Sequence, residues 1–126
     1  HGTFAKKSGT VSSYLEEDED YVIHSSQDSA KGKLSHTEYT VLKETGKFSL
    51  LKINLLTGRK NQIRVHMADE GHPVVGDDKY GKGFPKFARL ALHARSIEFS
   101  HPFSQKRLTF ETQVPDHFRK LVDYAY

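Results

Sequence analysis

The combination of two alternating segments with a short helix directly after them constrains the fold of this chain more than any other feature. Residues 37–42 and 48–56 place apolar or β-branched side chains at every second position, and the segment Lys43–Lys47 between them has the composition of a turn. A period of two is typical of strands with one buried face. The sequence therefore predicts an antiparallel hairpin here.

A helix is predicted immediately after this hairpin. Thr57 is a residue type that caps helices, so we expect the helix to begin near Arg59 or Lys60. Gly71, followed by Pro73, is a typical helix end, because glycine adopts the left-handed cap conformation and proline cannot continue the helix. The predicted helix is about three turns long.

The remaining segments predict an α+β fold with a mostly antiparallel mixed sheet, a central helix and a C-terminal helix. The acidic run Glu16–Asp20 is interpreted as the turn of a second hairpin, and Pro115 suits the first turn of the last helix. With 126 residues, the chain is expected to form one domain. The other predicted elements are strands Thr10–Leu15, Tyr21–His24, Ala91–Ser100 and Arg107–Thr112 and helix Pro115–Tyr124.

Composition argues against several classes of site and of location. The chain has no cysteine, which excludes disulfides, thiolate metal sites and thiol nucleophiles within it. Its eight histidines lack the spacing of a metal motif; His66 and His72, for example, lie six apart across the predicted helix end. No apolar run is long enough to cross a membrane, and no signal-peptide core is present. We therefore predict a cytoplasmic protein that binds neither metal nor membrane.

The charge distribution favours a polyanionic partner. The formal net charge is only +3, but five of the 16 acidic residues lie in the run Glu16–Asp20, so the other 11 stand against 19 lysines and arginines. Such a balance is typical of nucleic-acid-binding surfaces, although a solvated lysine-rich surface gives similar counts. One basic and aromatic cluster suits RNA binding, and packing of its phenylalanines explains part of the same pattern. It comprises Lys79, Lys82, Phe84, Lys86, Phe87 and Arg89.

Arg64 is the side chain of the predicted helix that most needs a partner. At about 100° per residue it projects from the apolar side, between Met67 and Ala68. The opposite arc contains Gln62, His66, Asp69 and Glu70. Because an uncompensated buried guanidinium group is costly, a carboxylate partner is expected. Asp77 or Asp78 of this chain could supply it, or the guanidinium group could extend to solvent.

Several motifs of the chain resemble those of the RluA-type RNA pseudouridine synthases. Residues 57–66 read TGRKNQIRVH, where that family has T-G-R-x-x-Q-[IL]-R-V-H. Residues 71–77 match G-H-P-[VI]-x-G-D, and residues 80–81 match its Y-G. Residues 89–102 resemble R-x-x-L-H-A-x-x-[LI]-x-F-x-H-P, and Phe118–Leu121 fits the closing F-x-x-L. Many members carry Thr-His or a similar pair where this chain has Lys-Asn, directly before the glutamine of the first motif.

The resemblance implies an enzyme that isomerises uridine to pseudouridine in ribosomal or transfer RNA without a metal or cofactor. A flipped uridine would be attacked by an aspartate, its glycosidic bond cleaved, and the base rotated and rejoined through carbon. In this family the second arginine of the first motif, here Arg64, faces that aspartate and keeps it ionised. Ile63 would form part of the apolar wall. RNA itself would be the partner.

The family's catalytic aspartate belongs to an H-R-L-D-x-x-T-S-G motif, which this sequence lacks. The match covers about residues 34–122, while residues 1–33 correspond to a variable segment. The chain also starts at His1, and its only methionine is Met67. We therefore expect residues 1–126 to be the C-terminal portion of a catalytic domain, a fragment that is inactive alone.

The resemblance also implies contacts with RNA. Arg59 and Lys60 lie at the predicted helix start, where free amides and the helix dipole favour phosphate, although solvation explains Lys60 equally well. His66 is either a hydrogen-bonding residue inside the fold or part of the site wall. The segments Gly76-Asp77 and Tyr80-Gly81 lack a phosphate-loop pattern and are interpreted as structural. The predicted RNA-binding residues are Arg59, Lys60, Gln62, His66, Lys82, Lys86 and Arg89.

Two other classes of protein remain open. A non-catalytic RNA-binding module of the same fold would be favoured if a native gene began near His1 and if RNA binding were sensitive to salt. A structural or interaction domain would be indicated by a lack of RNA binding at low salt. The sequence predicts neither the target uridine nor the oligomeric state.

Overall fold

A computed structural model describes residues 1–94, 96–100, 106–113 and 115–122, which form two antiparallel sheets and two α-helices. A four-stranded sheet has the order β2-β1-β3-β4, and β5 and β6 form a separate pair. The predicted α+β class with a mostly antiparallel sheet is confirmed. The strands are β1 (Ser8–Glu17), β2 (Ile23–Ser26), β3 (Lys33–Glu44), β4 (Ser49–Leu55), β5 (Ser96–Ser100) and β6 (Arg107–Glu111), and the helices are α1 (Gln62–Asp69) and α2 (Asp116–Val122).

The predicted central hairpin is formed by β3 and β4. Thr37 lies opposite Leu55 and Val41 lies opposite Leu51, after which the register shifts by one residue. Strand β3 is longer than predicted, because it begins at Lys33 and its residues 33–40 pair with β1. The predicted segment 37–42 contains residues 37–40, which pair with both β1 and β4.

The second predicted hairpin, formed by β1 and β2, is also present, with Glu17 opposite Ile23. Asp18 organises its turn by accepting hydrogen bonds from the backbone N–H groups of Asp20, at 2.8 Å, and Val22, at 3.0 Å. The hydrogen bonds from the Val22 backbone and from His24 lower the pKa of Asp18. The acidic run is therefore part strand and part turn.

Helix α1 packs on one face of the four-stranded sheet and completes its core. Val65 joins Leu15 and Ile23, from β1 and β2, in one buried cluster. Met67 joins a second cluster with Val11 of β1, and the half-buried residues Tyr39, Val41, Leu51, Ile53, Ile63 and Val74 surround it together with buried Phe4. The sheet and the loop after α1 thus hold the helix from both sides.

The N-terminal end of α1 differs from the prediction, and its C-terminal end agrees with it. The helix starts at Gln62 after Asn61, which has a left-handed φ of 54°, so it has about two turns rather than three. Thr57 does not cap it. At the other end, Gly71 has a φ of 81° and its N–H bonds the Ala68 carbonyl, while the next N–H bonds that of Met67. This is a Schellman motif, as the glycine predicted.

The C-terminal elements begin at or after the residues that the sequence predicted. Strand β5 begins at Ser96 instead of Ala91, and the helix expected at Pro115–Tyr124 occupies Asp116–Val122. Residue 95, the connection 101–105 and residues 123–124 of the predicted helix lie outside the described residues. Within the part of the chain that the structure describes, neither helix has the length and apolar character needed to cross a bilayer.

Candidate functional site

The predicted partner of Arg64 is Asp77, one of the two carboxylates of this chain considered from the sequence. Arg64 Nε donates to Asp77 Oδ2 at 2.9 Å, and Nη2 donates to Oδ1 at 2.8 Å. The side chain of Asp77 is fully buried, and that of Arg64 is 22% exposed. Two parallel charge-assisted bonds compensate the burial of both charges.

A short loop after α1 fixes the Asp77 carboxylate. Its Oδ1 also accepts the backbone N–H groups of Lys79, at 3.1 Å, and Tyr80, at 3.0 Å. The loop depends on Gly76, whose φ is 83° and whose added Cβ would lie 2.0 Å from the Arg89 carbonyl oxygen. Only glycine satisfies both conditions.

The electrostatics of this pair favour two charged groups. Burial alone raises the pKa of Asp77, but the hydrogen bonds from Arg64 and from the Tyr80 backbone outweigh it, so the pKa lies below its ordinary value. The bond to Asp77 in turn raises the pKa of Arg64 further. The carboxylate is therefore ionised at neutral pH.

Tyr80 and Asn61 enclose the guanidinium group of Arg64 on further sides. The Arg64 Cζ atom lies 5.1 Å from the centroid of the Tyr80 ring, a cation–π contact. The Tyr80 hydroxyl accepts the backbone N–H of Ile23 at 3.0 Å and the side-chain amide of Asn61 at 3.3 Å. Asn61 Oδ1 lies 3.4 Å from Arg64 Nη1. The loop and the helix start thus both contact Arg64, and Tyr80 connects them to the sheet.

One end of the Arg64 guanidinium group is left for another acceptor. Asp77 uses the side formed by Nε and Nη2, which leaves one N–H of Nη2 and both N–H groups of Nη1. Among the residues that the structure describes, the long contact with Asn61 is the only other hydrogen bond of this group. The remaining Nη1 and Nη2 donors form a fork of the geometry that binds a carboxylate.

The first two residues of the polar arc, Gln62 and His66, face the sheet, whereas Asp69 and Glu70 are exposed. His66 is fully buried, with Nε2 2.9 Å from Ser13 Oγ and Nδ1 2.8 Å from Thr37 Oγ1. Gln62, which is 2% exposed, donates to Thr37 Oγ1 and to the His36 carbonyl, both at 2.9 Å. Burial lowers the pKa of His66, so its ring is neutral at neutral pH. Hydroxyl groups of the sheet satisfy these polar side chains.

This placement corrects two expected RNA contacts. Gln62 and His66 were predicted to reach RNA, but both are buried between helix and sheet and engaged in hydrogen bonds. The alternative interpretation of His66, as a hydrogen-bonding residue inside the fold, agrees with its position. Helical angles placed the two residues on one arc correctly, but they could not show that the sheet offers hydroxyl groups to that arc.

Gln62 also binds the residue that was predicted to cap the helix. Its Oε1 accepts the backbone N–H of Arg59 at 3.0 Å and the hydroxyl of Thr57 at 2.8 Å. The Thr57 hydroxyl in turn accepts the backbone N–H of His36 at 3.0 Å. The threonine therefore connects the helix start to β3 instead of capping a free N–H group of the helix.

Of the predicted residues at the helix start, Arg59 and Lys60 are exposed. Arg59 Nε donates to the Leu34 carbonyl at 3.2 Å, and Lys60 Nζ forms an ion pair with Glu17 at 2.5 Å. Exposed pairs of this kind contribute little stability. Ile63 is half-buried and packs against the core cluster that contains Met67, so its role as a site wall stays a prediction.

The other predicted RNA contacts, Lys82, Lys86 and Arg89, are exposed as well. Lys82 and Lys86 line a cleft of about 260 Å³ that also includes residues 76–78. The cleft therefore lies beside the segment that carries Asp77.

Two residues around Arg64 were missed by sequence analysis. Tyr80 was interpreted as a structural loop residue, and Asn61 was noted only as a departure from the usual motif. A usable signal was the spacing of Asp77 and Tyr80, which puts both on one side of a tight turn after the helix.

Among the described residues, no three or more His, Asp or Glu side chains lie close enough together to hold a metal ion.

Comparison with known proteins agrees with the motifs. The family model described as RNA pseudouridylate synthase matches residues 3–69, which is more than half of the chain. A protein of Bacillus subtilis named uncharacterized RNA pseudouridine synthase YjbO is 33% identical over 122 residues, covering 97% of this chain and 43% of that protein. The ribosomal large subunit pseudouridine synthase D of Nitrosomonas europaea is 39% identical over 100 residues, covering 72% of this chain and 29% of its own length.

A solved structure has the same fold. The human RNA pseudouridylate synthase domain containing 1 superposes with a TM-score of 0.74 at 26% identity, covering 89% of this chain and 50% of that one. This chain thus spans half or less of the length of each of these three relatives. The resemblance inferred from the motifs is confirmed, and the chain belongs to the RNA pseudouridylate synthase family.

Proposed function

We propose that this chain supplies Arg64 and its surroundings to the catalytic centre of an RNA pseudouridine synthase, an isomerase that converts uridine to pseudouridine. The observation that carries the proposal is the Nη1–Nη2 end of the Arg64 guanidinium group, which lies beside the edge that Asp77 occupies and whose one further bond among the described residues is the long contact of Nη1 with Asn61. A half-buried arginine with a free fork is suited to hold a second carboxylate. In this reaction that carboxylate belongs to the attacking aspartate.

The proposed role of Arg64 follows from the charge that the reaction requires. An aspartate attacks the flipped nucleotide only in its ionised form, and a guanidinium group at hydrogen-bond distance favours that form. Its planar fork also fixes the direction of the carboxylate. Ile63 would line the apolar side of the same cleft.

We further propose that the attacking aspartate is not one of these 126 residues. Asp18 accepts hydrogen bonds in the β1–β2 turn, and Asp28 accepts the N–H of Ala30 at 2.9 Å in the short turn after β2. Both carboxylates therefore stabilise turns, and neither belongs to the sequence motif that carries the family's nucleophile. The greater length of the relatives supports a nucleophile outside these residues.

RNA is the proposed substrate, and ribosomal RNA is favoured over transfer RNA because a relative's name refers to the large ribosomal subunit. Arg59, Lys82, Lys86 and Arg89 are exposed cations that would contact phosphate groups. Lys60 would first have to leave Glu17. A cytoplasmic location is proposed from the same relatives.

Substitution of Arg64 in the full-length gene product tests the proposed function. Arg64→Lys replaces the fork by a point charge, so we expect kcat to fall by about 10²–10³-fold, with RNA affinity nearly unchanged. Turnover is followed by tritium release from RNA labelled at uridine C5. Lys52→Arg, an exposed substitution on β4, is the matched control.

Two results would contradict the proposal. Wild-type turnover of the Arg64→Lys variant would remove this side chain from the catalytic centre. Tritium release by the isolated 126-residue chain would show that it contains its own nucleophile. Parallel loss of RNA binding and turnover in Arg64→Lys would instead indicate a binding role.

A further inference from the structure

We propose that Asp77 is a positioning residue, which aims the free end of the Arg64 guanidinium group at the reacting carboxylate. This inference rests on the proposed function of Arg64. Asp77 would not touch the nucleotide or the nucleophile. Its effect would be transmitted through the two bonds that it shares with Arg64.

The geometry of those two bonds supports a positioning role. A single hydrogen bond leaves a planar group free to rotate about the donor–acceptor axis, whereas two parallel bonds fix both its position and its plane. Asp77 engages Nε and Nη2, so the third nitrogen, Nη1, projects away from it. The direction of the free fork is therefore determined by the Asp77 carboxylate.

Asp77 is itself held tightly enough to serve this purpose. Its side chain has no exposed surface, and its Oδ1 accepts two backbone N–H groups besides Arg64. The backbone around it is closed by hydrogen bonds from its own N–H to the Val74 carbonyl, at 3.1 Å, and from the Gly81 N–H to its carbonyl, at 3.0 Å. A carboxylate fixed by its own turn cannot follow Arg64 if the arginine moves.

The negative charge of Asp77 favours a role in orienting Arg64 over a role in supplying charge to the reaction. Asp77 carries the same charge as the attacking aspartate, so its direct effect on that group is repulsive. A residue selected to strengthen the positive charge at Arg64 would not be a second carboxylate. The benefit of Asp77 to the reaction must therefore come from the orientation of Arg64.

A double-mutant cycle in the full-length gene product tests this inference. Asp77→Asn keeps an oxygen for the two backbone donors but sets an amide group against an arginine nitrogen, so the guanidinium group must turn. We expect kcat to fall by about 10²-fold, the cost of misplacing a reacting group by about 1 Å, with little change in KM. Asp20→Asn, an exposed substitution of the same kind in the β1–β2 turn, should keep wild-type turnover.

The decisive measurement is the effect of Asp77→Asn when Arg64 is already lysine. If Asp77 acts through Arg64, the second substitution should lower kcat by less than about threefold, because the fork that it orients is gone. Independent losses that multiply would overturn the inference, as would wild-type turnover of Asp77→Asn. Loss of turnover only in Arg64→Lys would overturn the inference while leaving the proposed function intact.

Folding is monitored separately, because Asp77→Asn leaves Arg64 without its ionic partner. All variants are assayed well below their melting temperatures, and the cycle is repeated with Asp77→Glu, which keeps the charge but displaces the carboxylate by one methylene. A positioning role predicts that Asp77→Glu also lowers kcat. Wild-type turnover in a folded Asp77→Glu variant would contradict it.

Discussion

Thr37→Val is expected to destabilise this chain more than its small change in shape suggests. Thr37 is fully buried and its hydroxyl is the partner of His66 Nδ1, at 2.8 Å, and of Gln62 Nε2, at 2.9 Å. Valine has nearly the same volume and the same preference for strands, so packing and propensity change little. The substitution therefore isolates the hydroxyl group.

The magnitude follows from the partners that lose a hydrogen bond. His66 Nδ1 has no other partner among the described residues, and a buried unsatisfied nitrogen costs about 1–3 kcal/mol. Gln62 keeps its bond to the His36 carbonyl, so the second loss is about 1 kcal/mol. The extra methyl group of valine offsets roughly 0.8 kcal/mol. The expected decrease in the free energy of unfolding is about 1–3 kcal/mol.

Urea denaturation of the 126-residue chain, followed by circular dichroism, measures this decrease. With a typical urea m-value, the midpoint should fall by roughly 1 M. Thr40→Val on the same strand is the matched control, because Thr40 is exposed and should change stability by less than about 0.5 kcal/mol. If Thr37→Val cost no more than Thr40→Val, the network would contribute nothing and the reasoning would be refuted.

Two further predictions concern pH and RNA. Burial lowers the pKa of His66 in the folded chain, so the unfolded chain binds more protons below about pH 6.5. The contribution of the neutral His66 ring to the free energy of unfolding is therefore present above that pH and is lost as pH falls through the folded pKa. Unfolding measured from pH 7.5 to 5 should show a smaller loss of stability in His66→Gln than in the wild-type chain, with the half-buried His72, whose pKa burial also lowers, retaining part of the loss; an identical loss in both proteins would contradict this assignment. For RNA, Lys82→Gln with Lys86→Gln should reduce the slope of log affinity against log salt by roughly 0.7 per lost phosphate contact, and Lys52→Gln should not; equal slopes in filter binding would remove both lysines from the interface.

Most of the fold could be predicted because local patterns determine it. The alternation in residues 37–42 and 48–56 identified β3 and β4, and Gly71 identified the end of α1. The predicted start of α1 was wrong because the actual start depends on a tertiary contact. Gln62 reaches back to the Arg59 N–H and across to β3, so Thr57 is engaged elsewhere.

The site was predictable in part for a related reason. The helical angle of Arg64 indicated a need for a carboxylate, and Asp77 and Asp78 were considered as partners alongside extension to solvent, but only loop geometry distinguishes the two carboxylates. The backbone N–H groups of Lys79 and Tyr80 point at Asp77, whereas Asp78 is exposed. Sequence periodicity contains no information about which of two adjacent carboxylates a turn directs inward.

The close approach of Gly76 to the Arg89 carbonyl has a consequence for substrate choice. Together with the hydrogen bond from the Ala91 N–H to the Val75 carbonyl, at 2.8 Å, it joins the two ends of residues 77–88. These residues form a closed excursion of the Ω-loop type, with Asp77 at its base and lysines along its far part. Under the proposed function, insertions and substitutions in the far part would alter which RNA the lysines contact, while the base, and with it the arginine, would stay unchanged. A domain built in this way could acquire a new target without rebuilding its chemistry.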